Sequence, residues 1–278
     1  MQKIDTIIAV YNDEHSGSHV APLPRKQWQF RGKNVTPNKL QTLLYDQYAE
    51  FGKKVGKLRK GKRLIVIKLG DQIDGLHHDT KEIITQYLDE QKEINRELTN
   101  QALSLMGFGR DDKMYWVAGT PAHAGEAEEE LARDFDCVPY SEERTVWPML
   151  KLEINGTYCM FFHHGANMGR GPNKGNGLRN RLRNIYYEYL DRGERVPRLV
   201  ITADKHEKGY ELLTRNGEIL MHGIISPAWQ VKTDFVYRIF SEALPNVGGL
   251  AIEIKADGTV LPPHFVCIDV EQDRMERI

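Results

Sequence analysis

The sequence predicts an α+β fold in which two mixed β-sheets pack against one another with helices on the outside. The first half of the chain alternates β-branched apolar runs with segments of helical periodicity. The second half is mostly hairpins, three of them centred on Asn155-Gly156, Asn216-Gly217 and Asp257-Gly258. With 278 residues, 40% of them hydrophobic and 28% charged, the chain can bury a substantial core. It carries no repeat, low-complexity tract or linker, so the expectation is one domain over 1–278 with a basic loop-helix insertion at about 165–198.

Residues 4–11 read as a buried first strand, followed by a polar loop with Pro22, Pro24 and Gly32. Thr36-Pro37 gives an N-cap with proline in the first helical position. Leu40, Leu43, Leu44, Tyr48 and Phe51 mark the apolar face of the helix that follows. Residues 63–69 (RLIVIKL) form a second strand. Asp79 or Thr80 caps a long helix carrying Ile83, Ile84, Tyr87, Ile94 and Leu98. Residues 114–118 are a third strand, and 126–135 a short helix whose acidic start, 126–130, complements the helix dipole and faces solvent. Strands 149–154 and 158–163 flank the first hairpin turn. A basic helix at 178–190 and a short strand at 199–202 come next. Strands 210–214 and 218–222, then 250–254 and 260–266, flank the other two turns.

Lys and Arg number 38 against 39 Asp and Glu, a formal net charge of −1. That balance excludes a uniformly basic binder, so any nucleic-acid contact rests on a local patch. Residues 165–198 supply one: Arg170, Lys174, Arg179, Arg181, Arg183, Arg192, Arg195 and Arg198 stand against Glu188, Asp191 and Glu194. The run GRGPNKGNG lacks the Gly-Lys-(Ser/Thr) of a Walker loop but can carry Arg170 and Lys174 to a phosphate. A solvated helix face is the plainer reading of the same residues. Cys137, Cys159 and Cys267 have neither the number nor the spacing of a disulfide scaffold or a thiolate zinc site. No apolar run reaches bilayer length, and residues 1–10 lack signal-peptide character. The expectation is a cytoplasmic protein with no membrane partner.

The residues with metal and proton chemistry follow the strands. Asp13 and His15 come after the first; in extended chain their spacing turns both to one side. Gly70-Asp71-Gln72-Ile73-Asp74 follows the second, where glycine allows a sharp turn, Asp71 can bridge two cations, and Asp74 supports it from behind. His123 lies in a small-residue loop after the third strand, as general acid or ligand. His163-His164 ends the first hairpin; adjacent strand residues face opposite sides, so one is expected to be a ligand and the other to pack behind it. Asp204 and His206 follow the short strand. Such a set of oxygens and nitrogens suits divalent Mn, Fe, Ni or Zn and a two-metal hydrolase.

In this order the residues resemble the calcineurin-like metallophosphoesterase superfamily, whose blocks read D-x-H, G-D-x-x-D, G-N-H-(D/E), H-G and G-H-x-H. Here they are Asp13-Glu14-His15, Gly70-Asp71-Gln72-Ile73-Asp74, Gly119-Thr120-Pro121-Ala122-His123, His164-Gly165 and Ala203-Asp204-Lys205-His206. The first, second and fourth match fully; the third and fifth are altered. The third block, with GNGLRN and SPAWQ downstream, is similar to phage and prophage members. The resemblance implies a double β-sandwich flanked by helices, with two metal ions at the strand ends. It assigns Asp13, His15, Asp71 and His206 to the first ion. It assigns Asp71 and His164 to the second, with Thr120 where the family has Asn and Asp204 where it has His. The family's catalytic His corresponds to His123, displaced by two residues, and Asp74 is grouped with His123 as a catalytic residue that acts by supporting Asp71.

The implied activity is hydrolysis of a phosphate ester through a metal-activated water. Mn²⁺ is the foremost ion, because Asp204 adds a hard oxygen, and Fe, Ni, Zn or Mg are alternatives. Asp204 paired with Lys205, and turned away from an ion, is the competing reading. Arg170, Lys174, His77 and His78 are candidate substrate contacts, and the basic segment favours a nucleic-acid or nucleotide phosphodiester. The alternatives are a phosphomonoesterase acting on a small metabolite or phosphoprotein, and a one-metal or metal-free scaffold that binds nucleic acid without cutting it.

Overall fold

The computed structural model describes residues 4–76, 82–121, 125–231, 233 and 246–270. Alternation of side chains along the strands builds its layers. In β1 (Thr6–Tyr11) and β4 (Arg63–Leu69), Ile7, Ala9, Tyr11, Leu64 and Val66 face one way, and Ile8, Val10, Ile65, Ile67 and Leu69 the other. The first set packs against α1 (Lys39–Leu58), α2 (Leu88–Met106) and α3 (Gly125–Asp134) through Leu44, Phe51, Ile94, Leu98 and Leu131. The second set packs against Phe161, Leu199, Ile201 and Ile224 of the other sheet. Beyond that sheet, Met160, Phe162, Val200 and Met221 meet Leu182, Ile185 and Tyr189 of α4 (Asn176–Asp191). The order of layers is helices, sheet, sheet, helix, the double sandwich implied by the resemblance.

The first sheet runs β12-β11-β1-β4-β5, using β5 (Lys113–Val117), β11 (Asn246–Ile254) and β12 (His264–Asp269). The second runs β6-β7-β8-β10-β9, using β6 (Leu150–Ile154), β7 (Thr157–His164), β8 (Leu199–Ala203), β9 (Gly209–Arg215) and β10 (Glu218–Ile225). Both are mixed. β1, β4 and β5 are parallel in the first, and β7, β8 and β10 in the second, with antiparallel strands outside them. Parallel strands end together, so their following loops converge at one edge.

Four elements differ from the sequence expectation. A small hairpin, β2 (Trp28–Phe30) with β3 (Lys33–Val35), occupies the first loop and turns on Arg31-Gly32. α1 is capped by Asn38 rather than Thr36: Gln41 N donates to Asn38 Oδ1 at 2.8 Å, and Gln41 Oε1 accepts from Asn38 N at 3.0 Å. α2 starts at Leu88, because residues 82–84 are held extended by His19 N–Glu82 O and Ile84 N–Gly17 O bonds; the expected caps Asp79 and Thr80 lie outside the described residues. β12 starts at His264 rather than 260, since Pro262 and Pro263 have no N–H for the ladder.

Beneath the converging loops lies a fully buried polar group. Lys68 Nζ is 2.5 Å from Glu14 Oε1, which also accepts from Tyr48 Oη at 2.9 Å; Glu14 Oε2 accepts from Asn95 Nδ2 at 2.7 Å. Tyr11, Tyr48 and Trp229 pack against one another beside it. Burial lowers the Lys68 pKa, and the attraction of Glu14 opposes that shift. Lys68→Met leaves a carboxylate buried without its cation and is expected to cost about 3–5 kcal/mol of stability. Adding Glu14→Gln should recover most of the loss, which urea denaturation of the two variants will read. A double variant no more stable than the single would refute this account.

Candidate metal centre

The ends of β1, β4, β5, β7 and β8 bring the candidate residues together. Five of them have left-handed backbone: Asp13 (φ 48°), His15 (42°), Asp71 (49°), Asp204 (73°) and His206 (48°). Only four other non-glycine residues among those described share that conformation, so the strain is concentrated here. Gly70 and Gly119 permit the close approach. A Cβ on Gly70 would lie 2.4 Å from the His163 ring, and one on Gly119 2.2 Å from both Asp71 N and Asp71 Oδ1.

Three groups of ligand atoms result, each with its members within 4.8 Å of one another: Asp13, His15 and His206; Asp13, Asp71 and His163; and His163, His164 and Asp204. The donors are carboxylate oxygens and imidazole nitrogens without a thiolate, a set that fits a hard or borderline divalent ion. His206 Nε2 lies 3.8 Å from Asp13 Oδ1, and the His15 and His206 rings are 5.6 Å apart. Thr120 N and Oγ1 both donate to Asp71, at 2.6 Å to Oδ1 and 3.1 Å to Oδ2. Thr120 thus orients the carboxylate expected to bridge.

Asp74 takes a different post from the expected one. Its Oδ1 lies 3.2 Å from His15 Nδ1 and 3.4 Å from Gln230 Nε2, so it supports His15 where the sequence reading put it behind Asp71. The histidine pair also departs from simple strand alternation. The pairing of β7 with β8 slips between Phe162 and His164, and both histidines join the site. His163 is the buried member, with Nε2 2.9 Å from Asp13 Oδ1 and 3.7 Å from Asp71 Oδ2, and with its buried Nδ1 lacking a partner among the described residues. His164, the residue matching the family block, is 59% exposed and lies 3.5 Å from Asp204 Oδ2 through Nδ1. Asp204 Oδ2 is also 2.6 Å from Lys205 Nζ, the pairing that the competing reading of Asp204 calls for.

Arg170 and Lys174 are exposed in the loop after β7, and His77, His78 and His123 lie outside the described residues. That loop is fastened beside the site by Met168 N donating to Glu207 Oε1 at 2.6 Å, one residue past His206. Burial raises the Glu207 pKa, and the Met168 amide, Lys174, Arg170 and Lys205 act against it.

Several residues of the site carried no motif. Lys68 was visible as a charge enclosed by apolar residues in a strand, and Asn95 as a polar residue beside Ile94 on the apolar face of a helix. Glu128 was expected to face solvent with its acidic neighbours, but it is buried, accepting from Gln72 N at 3.2 Å and Gly119 N at 3.1 Å. Burial, reinforced by Asp71, pushes its pKa up to about 7. Burial also works to raise Asp13, but the adjacent His163 prevails and holds it below the usual carboxylate range. Burial works to lower His15, and Asp74 prevails in raising it; His206 is lowered, chiefly by burial.

No family model matches this chain, and no curated protein matches it. Among solved structures, a conserved protein of Streptococcus pneumoniae described as a predicted phosphoesterase aligns over 95% of this chain and 98% of its own, at 10% identity and TM-score 0.34. A phosphatase from Mycoplasma pneumoniae aligns over 96% of this chain and 93% of its own, at 11% identity and TM-score 0.39. The sulfate thiohydrolase SoxB of Thermus thermophilus aligns over 96% of this chain and 57% of its own, at 10% identity and TM-score 0.41.

Burial works to lower the His163 pKa, but the Asp13 carboxylate raises it from 6.5 to about 9. A folded-state pKa above the unfolded value gives stability that is complete below about pH 6.5 and is lost as pH rises through about 9. Urea midpoints of the metal-free protein are expected to fall across that window, and His163→Gln to remove most of the fall. An unchanged slope in the variant would show that another group is responsible.

Proposed function

We propose that the protein is a metal-dependent phosphoesterase of the calcineurin-like type, acting on a phosphodiester of nucleic-acid or nucleotide kind. The observation that carries this reading is the meeting of three Asp/His groups, linked through Asp13 and His163, at the ends of the four strands β1, β4, β7 and β8. Asp13, His15, Asp71 and His206 are the residues we assign to one ion, and Asp71, His164 and Asp204 to its neighbour, with Mn²⁺ favoured by the carboxylate of Asp204. His163, 2.9 Å from Asp13, joins the set as a residue that the motif comparison left out. Divalent ions at such a site supply neutralisation of charge on the phosphoryl oxygens and a more acidic water.

The chain's own residues do the rest. Thr120 fixes both oxygens of Asp71 through its N–H and hydroxyl, and Asp74 fixes the ring of His15. To His123 we assign the proton given to the leaving alkoxide, on the strength of the resemblance. Arg170 and Lys174, on the loop held by Glu207, are placed in this proposal on phosphates flanking the reacting one. A second reading follows from the 2.6 Å contact between Asp204 and Lys205, which offers the carboxylate a resident cation and favours a single-ion site.

Metal analysis of the purified protein separates the two: about two equivalents of tightly held Mn²⁺ are expected, and one equivalent supports the second reading. Asp71→Asn keeps shape and removes charge. It is expected to lose metal and to lower hydrolysis of an aryl phosphodiester by about a hundredfold or more. Wild-type turnover and metal content in that variant would overturn the assignment.

Removing the charges of Arg170 and Lys174 together should weaken binding of single-stranded DNA and flatten its salt dependence, with a smaller effect on an aryl phosphodiester. Equal effects on both probes would move these residues to the reacting phosphate and take away the support for nucleic acid.

A further inference from the structure

Two buried polar side chains from different helices meet the backbone of the same residue, one at its N–H and one at its carbonyl. Glu128 of α3 accepts from Gln72 N at 3.2 Å through Oε1 and from Gly119 N at 3.1 Å through Oε2. It thereby ties the loop after β4 to the loop after β5. On the other side of residue 72, Asn95 of α2 donates to Gln72 O at 2.9 Å. The same amide group lies 2.7 Å from Glu14 Oε2 and 3.1 Å from Ser16 Oγ, so it also holds the loop after β1. Neither Asn95 nor Glu128 belongs to a motif, and neither is among the ligand groups.

We infer that Asn95 and Glu128 are positioning residues that clamp Gln72 from two sides and so set the place of the Asp71 carboxylate between the two proposed ions. The inference rests on the phosphoesterase reading. Asp71 is in left-handed backbone at φ 49°, a disfavoured conformation for a non-glycine residue, so the direction of its side chain depends on how the backbone on either side of it is held. Gly119 packs closely against the backbone of Asp71, where a Cβ would lie 2.2 Å from Asp71 N. Glu128 holds this glycine by its N–H, and Thr120 beside it holds both Asp71 oxygens. Helices α2 and α3 thus reach the metal centre through backbone, without offering it a ligand.

The neighbour of Glu128 provides a control. Glu129 makes the same kind of clamp, accepting from Thr145 N at 2.6 Å and Val146 N at 2.9 Å, but on a segment that carries none of the proposed ligands. Glu128→Gln keeps the size of the side chain and sets an NH₂ group against one of the two N–H donors. In the full-length protein, Mn²⁺ titration calorimetry is expected to show affinity reduced about 10–100-fold in Glu128→Gln. Affinity should be unchanged in Glu129→Gln, whatever that variant loses in melting temperature. If Glu128→Gln does not fold, Asn95→Ser tests the opposite side of the clamp, with the same loss expected. Wild-type Mn²⁺ affinity in a folded Glu128→Gln or Asn95→Ser protein, or an equal loss in Glu129→Gln, overturns the clamp and leaves the metal reading standing. A wild-type protein that binds no Mn²⁺ overturns the metal reading, and the clamp's role with it.

Discussion

The pairing of β1 with β4 continues after both strands have ended. Asp13 N donates to Gly70 O, His15 N to Asp71 O and Ser16 N to Gln72 O, and Asp74 N returns to Ser16 O. This extended ladder fixes Asp13, His15, Asp71 and Asp74 relative to one another before any side chain is considered. Residues from β5, β7 and β8 then close around a frame already set by backbone. Left-handed residues are tolerated in such a frame because each is hydrogen-bonded to a neighbouring segment and cannot relax alone.

The second constraint is electrostatic. Asp13, Glu14, Asp71 and Asp74, within a few residues of the strand ends, and Glu128 of α3 are all buried. Carboxylates out of water are costly unless each has a partner. Glu14 has Lys68 and Asn95, Glu128 has two backbone N–H groups, Asp71 has Thr120, and Asp13 has His163. The partners are supplied by elements far apart in sequence, which is why the loops cannot be ordered independently of the packing beneath them. Glu207 extends the same logic outward by fastening the basic loop to the end of β8.

Much of this was legible in the sequence because it depends on local rules. Buried strands announce themselves by apolar runs, hairpins by Asn-Gly, and the candidate ligands by their places just after strands. What depended on tertiary contact was hidden. The start of α2 was displaced by backbone bonds from residues 82–84 to Gly17 and His19, which no propensity at Asp79 or Thr80 encodes. Asp74 supports His15, a neighbour in space and not in sequence. The slip in β7 left the buried His163 and the exposed His164 in one ligand group, where an ideal pleat would have parted them. Glu128 sat in a run of glutamates that resembled a solvated surface, and only the approach of Gly119 and Gln72 gives it a buried task.

The position of the site at the seam between the two sheets has a mechanical consequence. Asp13, His15 and Asp71 belong to the sheet backed by α1, α2 and α3, whereas His163, His164, Asp204 and His206 belong to the sheet backed by α4. Every one of the three ligand groups except the outermost draws on both. The apolar contact of Ile8, Ile67 and Leu69 with Phe161 and Ile201 sets how far apart the two layers stand, and hence how wide the jaws of the centre open. A cation gripped there would act as a rivet through the sandwich. A methyl group added or removed in the middle of that interlayer core would be felt as a change of gauge at its edge.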